Sequence, residues 1–150
     1  MQIGEVMRGL ALCKVLFSKS SKFSPGNYVT CTPGWRELAI VDAKDVTPLE
    51  VTDNGRLTDA LGVLGPTGLT AYFGMLKIGE VKAGDVVVVS GAAGATGSVA
   101  CQIAKLKGAK VIGIAGSDDK VEWLKELGCD DALNYKSADF AAQFKAKTRI

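Results

Sequence analysis

Residues 86–97 read Val86-Val87-Val88-Val89-Ser90-Gly91-Ala92-Ala93-Gly94-Ala95-Thr96-Gly97. Four consecutive β-branched residues specify a strand that is apolar on both faces, as in a buried parallel sheet. Glycine then recurs at Gly91, Gly94 and Gly97. A loop so poor in side chains, set between a strand and a helix, permits a tight turn, approach of bare backbone to a pyrophosphate, and close helix–strand packing. The helix beginning near Thr96 would aim free N–H groups and the positive end of its dipole at such a ligand. The fingerprint G-x-G-x-x-G is met imperfectly: Ala92 stands at the first glycine position, with Gly94 and Gly97 at the other two. A plain tight turn is the alternative reading, and the flanking strand and helix weigh against it.

Downstream, strand and helix keep alternating. Thr96 to Lys107 reads as a helix with Val99, Ile103 and Leu106 on one side and Gly108 closing it. Lys110 to Ala115 is a second strand. Ser117 can cap the next helix, with Asp118 and Asp119 in the first turn, where the dipole favours anions. Val121, Leu124 and Leu127 are its inward face, and Gly128 ends it. Asp131 to Tyr135 gives a third strand, and Ser137 to Lys147 a last amphipathic helix. This alternation specifies an α/β, doubly wound parallel sheet.

Upstream, residues 8–41 read as β: Leu10 to Phe17, a turn at Ser24-Pro25-Gly26-Asn27, Tyr28 to Cys31, a turn at Pro33-Gly34, and Trp35 to Val41. Val46 to Arg56 looks like a connector, with Pro48, Asp53, Asn54 and Gly55 as breakers. Asp59 to Leu64 suits a helical turn. Thr67 to Lys77 carries Leu69, Tyr72, Phe73 and Leu76 at helical spacing, up to Gly79.

Composition narrows the function classes. The 150 residues carry a net charge of +2, too little to direct binding to nucleic acid or a membrane surface. There is no histidine, so the commonest general base and metal ligand is missing. Cys13, Cys31, Cys101 and Cys129 show no C-x-x-C spacing and read as buried reduced thiols of an intracellular protein. No apolar run approaches the ~20 residues of a membrane span. The first residues lack the apolar core of a signal peptide, so a cytoplasmic location is expected.

The choice of nucleotide is made near the end of the second strand. Here that strand runs out as Ala115-Gly116-Ser117, small residues in place of a carboxylate. Asp118 reads either as an NAD marker or as a dipole partner. Lys120, on the same turn, could give a charge-assisted bond to a 2′-phosphate or could be a solvated lysine. Spacing alone leaves both questions open.

The segments Gly65-Pro-Thr-Gly-Leu-Thr-Ala-Tyr-Phe-Gly74, Val81-Lys-Ala-Gly-Asp85, Gly91 to Ser98, Gln102-Ile-Ala-Lys-Leu-Lys-Gly108, Gly116-Ser-Asp-Asp-Lys120 and Leu133-Asn-Tyr-Lys136 occur in this order. Together they resemble the zinc-independent medium-chain dehydrogenase/reductases, and within them the NADPH-dependent alkenal double-bond reductases. The likeness runs from about Gly4 to about Lys147. It implies part of a β-rich GroES-like substrate domain over residues 1–55. Residues 56–150 would then be the N-terminal half of a Rossmann-type dinucleotide domain, with strands one to three. It implies NADPH as cofactor: Gly94, Ala95, Thr96 and Gly97 match the diphosphate loop, Lys120 the 2′-phosphate lysine, and Tyr135 a tyrosine of the same pocket. Thr70 and Tyr72 lie where the family's helix approaches the nicotinamide, although Thr-Ala-Tyr-Phe also suits plain core. No metal ligand and no local catalytic residue is implied.

The implied reaction is reduction of the C=C bond of a small α,β-unsaturated aldehyde or ketone. A quinone reductase of the same superfamily and a non-catalytic NADPH-binding piece are the alternatives. The family also has strands before Met1 and after Lys147, which include most homodimer contacts and the far wall of the cofactor crevice. The resemblance therefore makes the chain a fragment with Val86 to Val89 as an uncovered edge strand, expected to be unstable or inactive by itself.

Overall fold

A computed structural model describes residues 2–50 and 56–148 of the chain. They gather into two compact units, Met1–Gly65 and Pro66–Ile150. Asp53, Asn54 and Gly55 of the expected connector lie outside the described residues.

The first unit is built on an antiparallel sheet in the order β1 (Ala11–Lys14), β2 (Tyr28–Cys31), β3 (Thr47–Pro48). Ala11 faces Cys31 and Lys14 faces Tyr28. The turn read at residues 24–27 closes this ladder: Val15 N–H donates to the Asn27 carbonyl (2.9 Å), and Asn27 Oδ1 accepts the Ser24 N–H (2.8 Å). Val29 and Cys31 are buried beneath the sheet.

Three expectations fail here. Trp35–Val41 forms no strand; Trp35, Leu38 and Ile40 are exposed, and the segment finds no ladder partner among the described residues. Apolar residues promote a strand only where a neighbouring strand takes up their backbone N–H and C=O groups. That neighbour is instead the supposed connector, whose Thr47–Pro48 pairs with Val29 and Thr30. The first strand is also shorter than expected, leaving Leu16 and Phe17 exposed.

The second unit opens with α1 (Pro66–Tyr72), which runs straight into a π-helical turn, Phe73–Ile78. Gly79 N–H closes that turn on the Gly74 carbonyl (2.8 Å). Leu69, Tyr72 and Phe73 face outward, with Tyr72 and Phe73 edge to face at 5.5 Å. The buried face is Gly68 and Ala71, packed on the next helix. The helical spacing is met, but the plain-core alternative for Thr-Ala-Tyr-Phe is not, because small residues let the two helices approach closely and leave Tyr72 and Phe73 exposed.

A parallel sheet follows in the order β4 (Val86–Val89), β5 (Lys110–Ala115), β6 (Asp131–Asn134), alternating with α2 (Ala95–Leu106), α3 (Asp118–Glu126) and α4 (Phe140–Lys147). The second strand in sequence is thus the central one, as the doubly wound order requires. Val86 pairs with Lys110, and Ile112 with Asp131. Ile112 and Leu124 are fully buried, and Val99, Ile103, Val121 and Leu127 pack around the core. Among the described residues β4 pairs on one side only, and Val88 is 39% exposed.

Gly113 lies at the centre of this core. A Cβ there would come within 3.0 Å of Leu124 Cδ1, 3.2 Å of Ala92 Cβ and 3.4 Å of Cys129 Sγ. Gly113→Ala is therefore expected to overpack the core and to destabilise the unit by about 1–3 kcal/mol, read by urea unfolding. A neutral result would show that Leu124 gives way freely.

All four cysteines are free thiols. Burial, then the neighbouring Cys129, pushes Cys101 up to about 12. Burial and the Cys13 thiol, whose sulfur is 3.7 Å away, push Cys31 up to about 11. Both stay protonated at neutral pH and are poor nucleophiles.

Candidate functional site

The carboxyl ends of β4, β5 and β6 are Val89, Ala115 and Asn134. Gly94 to Gly97, Lys120 and Tyr135 each lie in the loop or first helical turn that follows one of these ends, whereas Thr70 and Tyr72 lie in α1. In an open α/β sheet that edge is where ligands bind.

After β4 the chain turns at Gly91, whose φ of 59° is a left-handed conformation that glycine adopts without strain. Its carbonyl accepts the Gly94 N–H at 2.9 Å. Gly94 is extended and stands at the N-cap of α2, where it has no side chain to offer. The first intrahelical bond is Ser98 N–H to Gly94 C=O, 2.9 Å. The N–H groups of Ala95, Thr96 and Gly97 therefore belong to the turn that α-helix geometry leaves unpaired. They meet no acceptor among the described residues, and Gly94 and Ala95 are exposed. Backbone N–H groups left free in this way can hold an anion.

The three glycines have distinct reasons. Gly91 supplies the turn that the fingerprint assigns to Ala92. Ala92 instead is fully buried, facing Gly113, with its N–H on the Ile114 carbonyl (3.0 Å). Alanine is accepted there because its methyl fills the core rather than the ligand side. At Gly97 a Cβ would overlap the Gly91 carbonyl oxygen and approach the Ala92 Cα to 2.9 Å. Gly91's turn is local and consistent with the glycine pattern, but Gly113's contact with the loop has no signal in the sequence, since it depends on Ala92, more than 20 positions away.

At the end of β5, Gly116 leaves room for the Tyr135 ring. A Cβ on Gly116 would lie 3.0 Å from Tyr135 Cε1 and 3.1 Å from its Oη. Tyr135 N–H bonds the Ala115 carbonyl (3.0 Å), which ties the end of β6 to the end of β5. Tyr135 is 55% exposed, with Lys136 Nζ 5.9 Å from the ring centroid. Tyr135 is thus a surface platform rather than core.

Lys120 lies exposed in the first turn of α3. Ser117 stands at the N-cap with extended backbone, but its hydroxyl does not cap the helix. It lies instead against the Asp119 carboxylate, which that contact and the Lys120 N–H hold below the usual carboxylate range. Asp118, the other candidate selector, is engaged: Asn134 Nδ2 donates to its Oδ1 at 2.8 Å. Thr70 donates its hydroxyl to the Pro66 carbonyl (2.7 Å). Among the described residues no three His, Cys, Asp or Glu side chains are grouped to hold a metal ion, and no helix is long and apolar enough to cross a membrane.

Comparison with known proteins agrees with this geometry. The family model for the N-terminal domain of oxidoreductases matches residues 1–49, and that for zinc-binding dehydrogenases matches residues 95–149. Prostaglandin reductase 1 of Mus musculus is 52% identical over 136 residues, which are 89% of this chain and 41% of the relative. The NADPH-dependent curcumin reductase of Escherichia coli is 38% identical over 94% of this chain and 41% of its own. The crystal structure of CurA from Vibrio vulnificus in complex with NADPH superposes with a TM-score of 0.89 at 42% identity, over 97% of this chain and 43% of CurA. The chain thus spans about two fifths of the length of these relatives. Two family models in the expected order, an antiparallel sheet followed by a three-stranded parallel sheet, and a glycine loop at the carboxyl edge of the latter lead to one conclusion: the chain belongs to the medium-chain dehydrogenase/reductase family.

Proposed function

We propose that this chain carries the adenosine and diphosphate half of an NADPH site, in an oxidoreductase that reduces the C=C bond of small α,β-unsaturated aldehydes or ketones. In this reading residues 1–55 are part of a GroES-like substrate domain and 56–150 part of the dinucleotide domain, and the protein is cytoplasmic. The observation that carries it is the cradle of unpaired N–H groups at Ala95, Thr96 and Gly97, beside a loop whose Gly97 admits no Cβ. The residues fit the cofactor in kind. The exposed backbone at Gly94 and Ala95 and the N-terminus of α2 would hold the diphosphate. Tyr135, seated on Gly116, would pack against the adenosine, and the Lys120 ammonium would bond the 2′-phosphate.

When bound, NADPH supplies the hydride for the β-carbon of the substrate, and a proton completes the reduction at the α-carbon. The chain's own residues bind and orient; none of them is assigned a proton-transfer step. The NADPH complex of CurA and the cofactor in the curcumin reductase's name support this choice of nucleotide.

Fluorescence titration of the chain with NADPH and with NADH tests the proposal. NADPH is expected to bind more tightly. Lys120→Ala should weaken NADPH about 10- to 100-fold, the loss of one hydrogen bond between charged groups, and leave NADH nearly unchanged. Equal affinity of the unsubstituted chain for both nucleotides, or an equal loss of both in the variant, would refute the assignment of Lys120.

A further inference from the structure

We infer that Asn134 is a specificity-determining residue, acting by tying up the Asp118 carboxylate so that it does not oppose a 2′-phosphate. The inference rests on the NADPH reading above and deepens it. Asp118 stands just beyond the end of β5, about 20 residues after the glycine loop, where a dinucleotide site commonly places the acid that takes the ribose hydroxyls. Left free there, a carboxylate would favour NADH and repel a phosphate dianion. Sequence spacing alone makes Asp118 a contradiction beside Lys120.

The hydrogen bonds resolve the contradiction. Asn134 closes β6, and its Nδ2 donates to Asp118 Oδ1 at 2.8 Å. Its Oδ1 accepts the Lys136 N–H at 3.0 Å. These two partners fix the orientation of the amide, because a backbone N–H only donates and a carboxylate only accepts. The Asn134 carbonyl in turn accepts both the N–H and the hydroxyl of Ser137, at 3.1 and 2.9 Å. One asparagine thus clasps the first turn of α3 to the loop that carries Tyr135. It holds the Asp118 carboxylate, charge intact, against the end of β6 rather than free in the loop two residues before Lys120, a choice between ligands made by a contact within the protein rather than with the ligand.

The test uses two probes that need only the adenosine side of the site: adenosine 2′,5′-bisphosphate and 5′-AMP, titrated calorimetrically into the chain. The unsubstituted chain should prefer the bisphosphate. Asn134→Ala should cut that preference about fivefold, the scale of an exposed like-charge contact with a dianion. The double variant Asp118→Asn/Asn134→Ala should restore it, since no carboxylate is then released. Asn134→Ser, which keeps a small polar side chain too short to reach Asp118, carries the same expectation if the alanine variant does not fold. A preference unchanged by loss of Asn134 overturns the inference while leaving the NADPH reading intact. A loss that the double variant fails to restore also overturns it, because Asn134 would then act by ordering the loop. Failure of the unsubstituted chain to prefer the bisphosphate overturns the reading and the inference together.

Discussion

Gly97→Ala is expected to weaken NADPH binding about 100-fold, the equivalent of one or two backbone hydrogen bonds to a charged phosphate. The same variant should destabilise the 66–150 unit by about 2 kcal/mol. Two effects oppose each other at this position. Within a helix, alanine is better than glycine by about 1 kcal/mol, so propensity alone predicts a gain. Against it stands the overlap of the new methyl with the Gly91 carbonyl oxygen and its approach to 2.9 Å from the Ala92 Cα. These are backbone atoms, so no rotamer change relieves the contact. The loop must move, yet Ala92 is anchored in the core and by its bond to Ile114. The displaced segment is Gly91 to Gly94, whose turn sets the start of α2 and thereby aims the free N–H groups. Collision should therefore outweigh propensity. Gln102→Ala, an exposed position in the same helix, is the control and should change stability by less than about 0.5 kcal/mol. A Gly97→Ala protein that is more stable and still binds NADPH would mean that the close approach of α2 to the loop is dispensable.

The parallel sheet was legible because its signals are local. Val86–Val89 and Lys110–Ala115 are runs of β-branched and small residues bounded by glycine, and each is a strand within a residue of expectation. The helices between them carry 3.6-residue periodicity and glycine stops. Trp35–Val41 has similar local character and failed, because a strand also needs a partner and the sequence does not name one. The spacing of Leu69, Tyr72 and Phe73 marked the helix but not its buried face: periodicity defines a stripe but not which neighbour the helix meets, and here Gly68 and Ala71 face α2. The π turn after Tyr72 depends on bonds five residues apart, for which no residue pattern was visible. At the site, the glycine loop is readable from its own pattern between strand and helix, spacing makes Lys120 a candidate, and the family resemblance favours its NADPH role and adds Tyr135. The Tyr135–Gly116 contact and the Asn134–Asp118 bond could not be read in this way, since each joins residues 16 or more positions apart that only the fold brings together.

Asp130→Ala is expected to destabilise the parallel-sheet unit by about 3 kcal/mol at neutral pH, the cost of leaving a buried N–H unpaired together with the loss of a charged partner. Asp130 lies just before β6 and joins three elements. Its Oδ2 accepts the N–H of Val111, a fully buried residue near the start of β5, at 2.7 Å. Its Oδ1 pairs with Lys105 of α2. The lysine arm is 44% exposed and so contributes little after screening by solvent. Most of the effect comes from Val111. The Lys105 ammonium, then the Val111 N–H, hold the carboxyl below its ordinary range. Unfolding removes both and returns it to a value near 4. A folded-state value lower than the unfolded one stabilises above the unfolded value, and the gain fades as pH falls through the folded value. The difference between the unsubstituted chain and the variant should thus be constant from neutral pH down to about 4 and shrink below it. Asp119 and Asp139, held low by Ser117 and by Gln143, are present in both proteins and cancel from the difference. Urea unfolding at pH 7, 5 and 3 measures it. A difference of the same size at pH 3 as at pH 7 would show that Asp130 acts through packing or backbone conformation rather than through its charge.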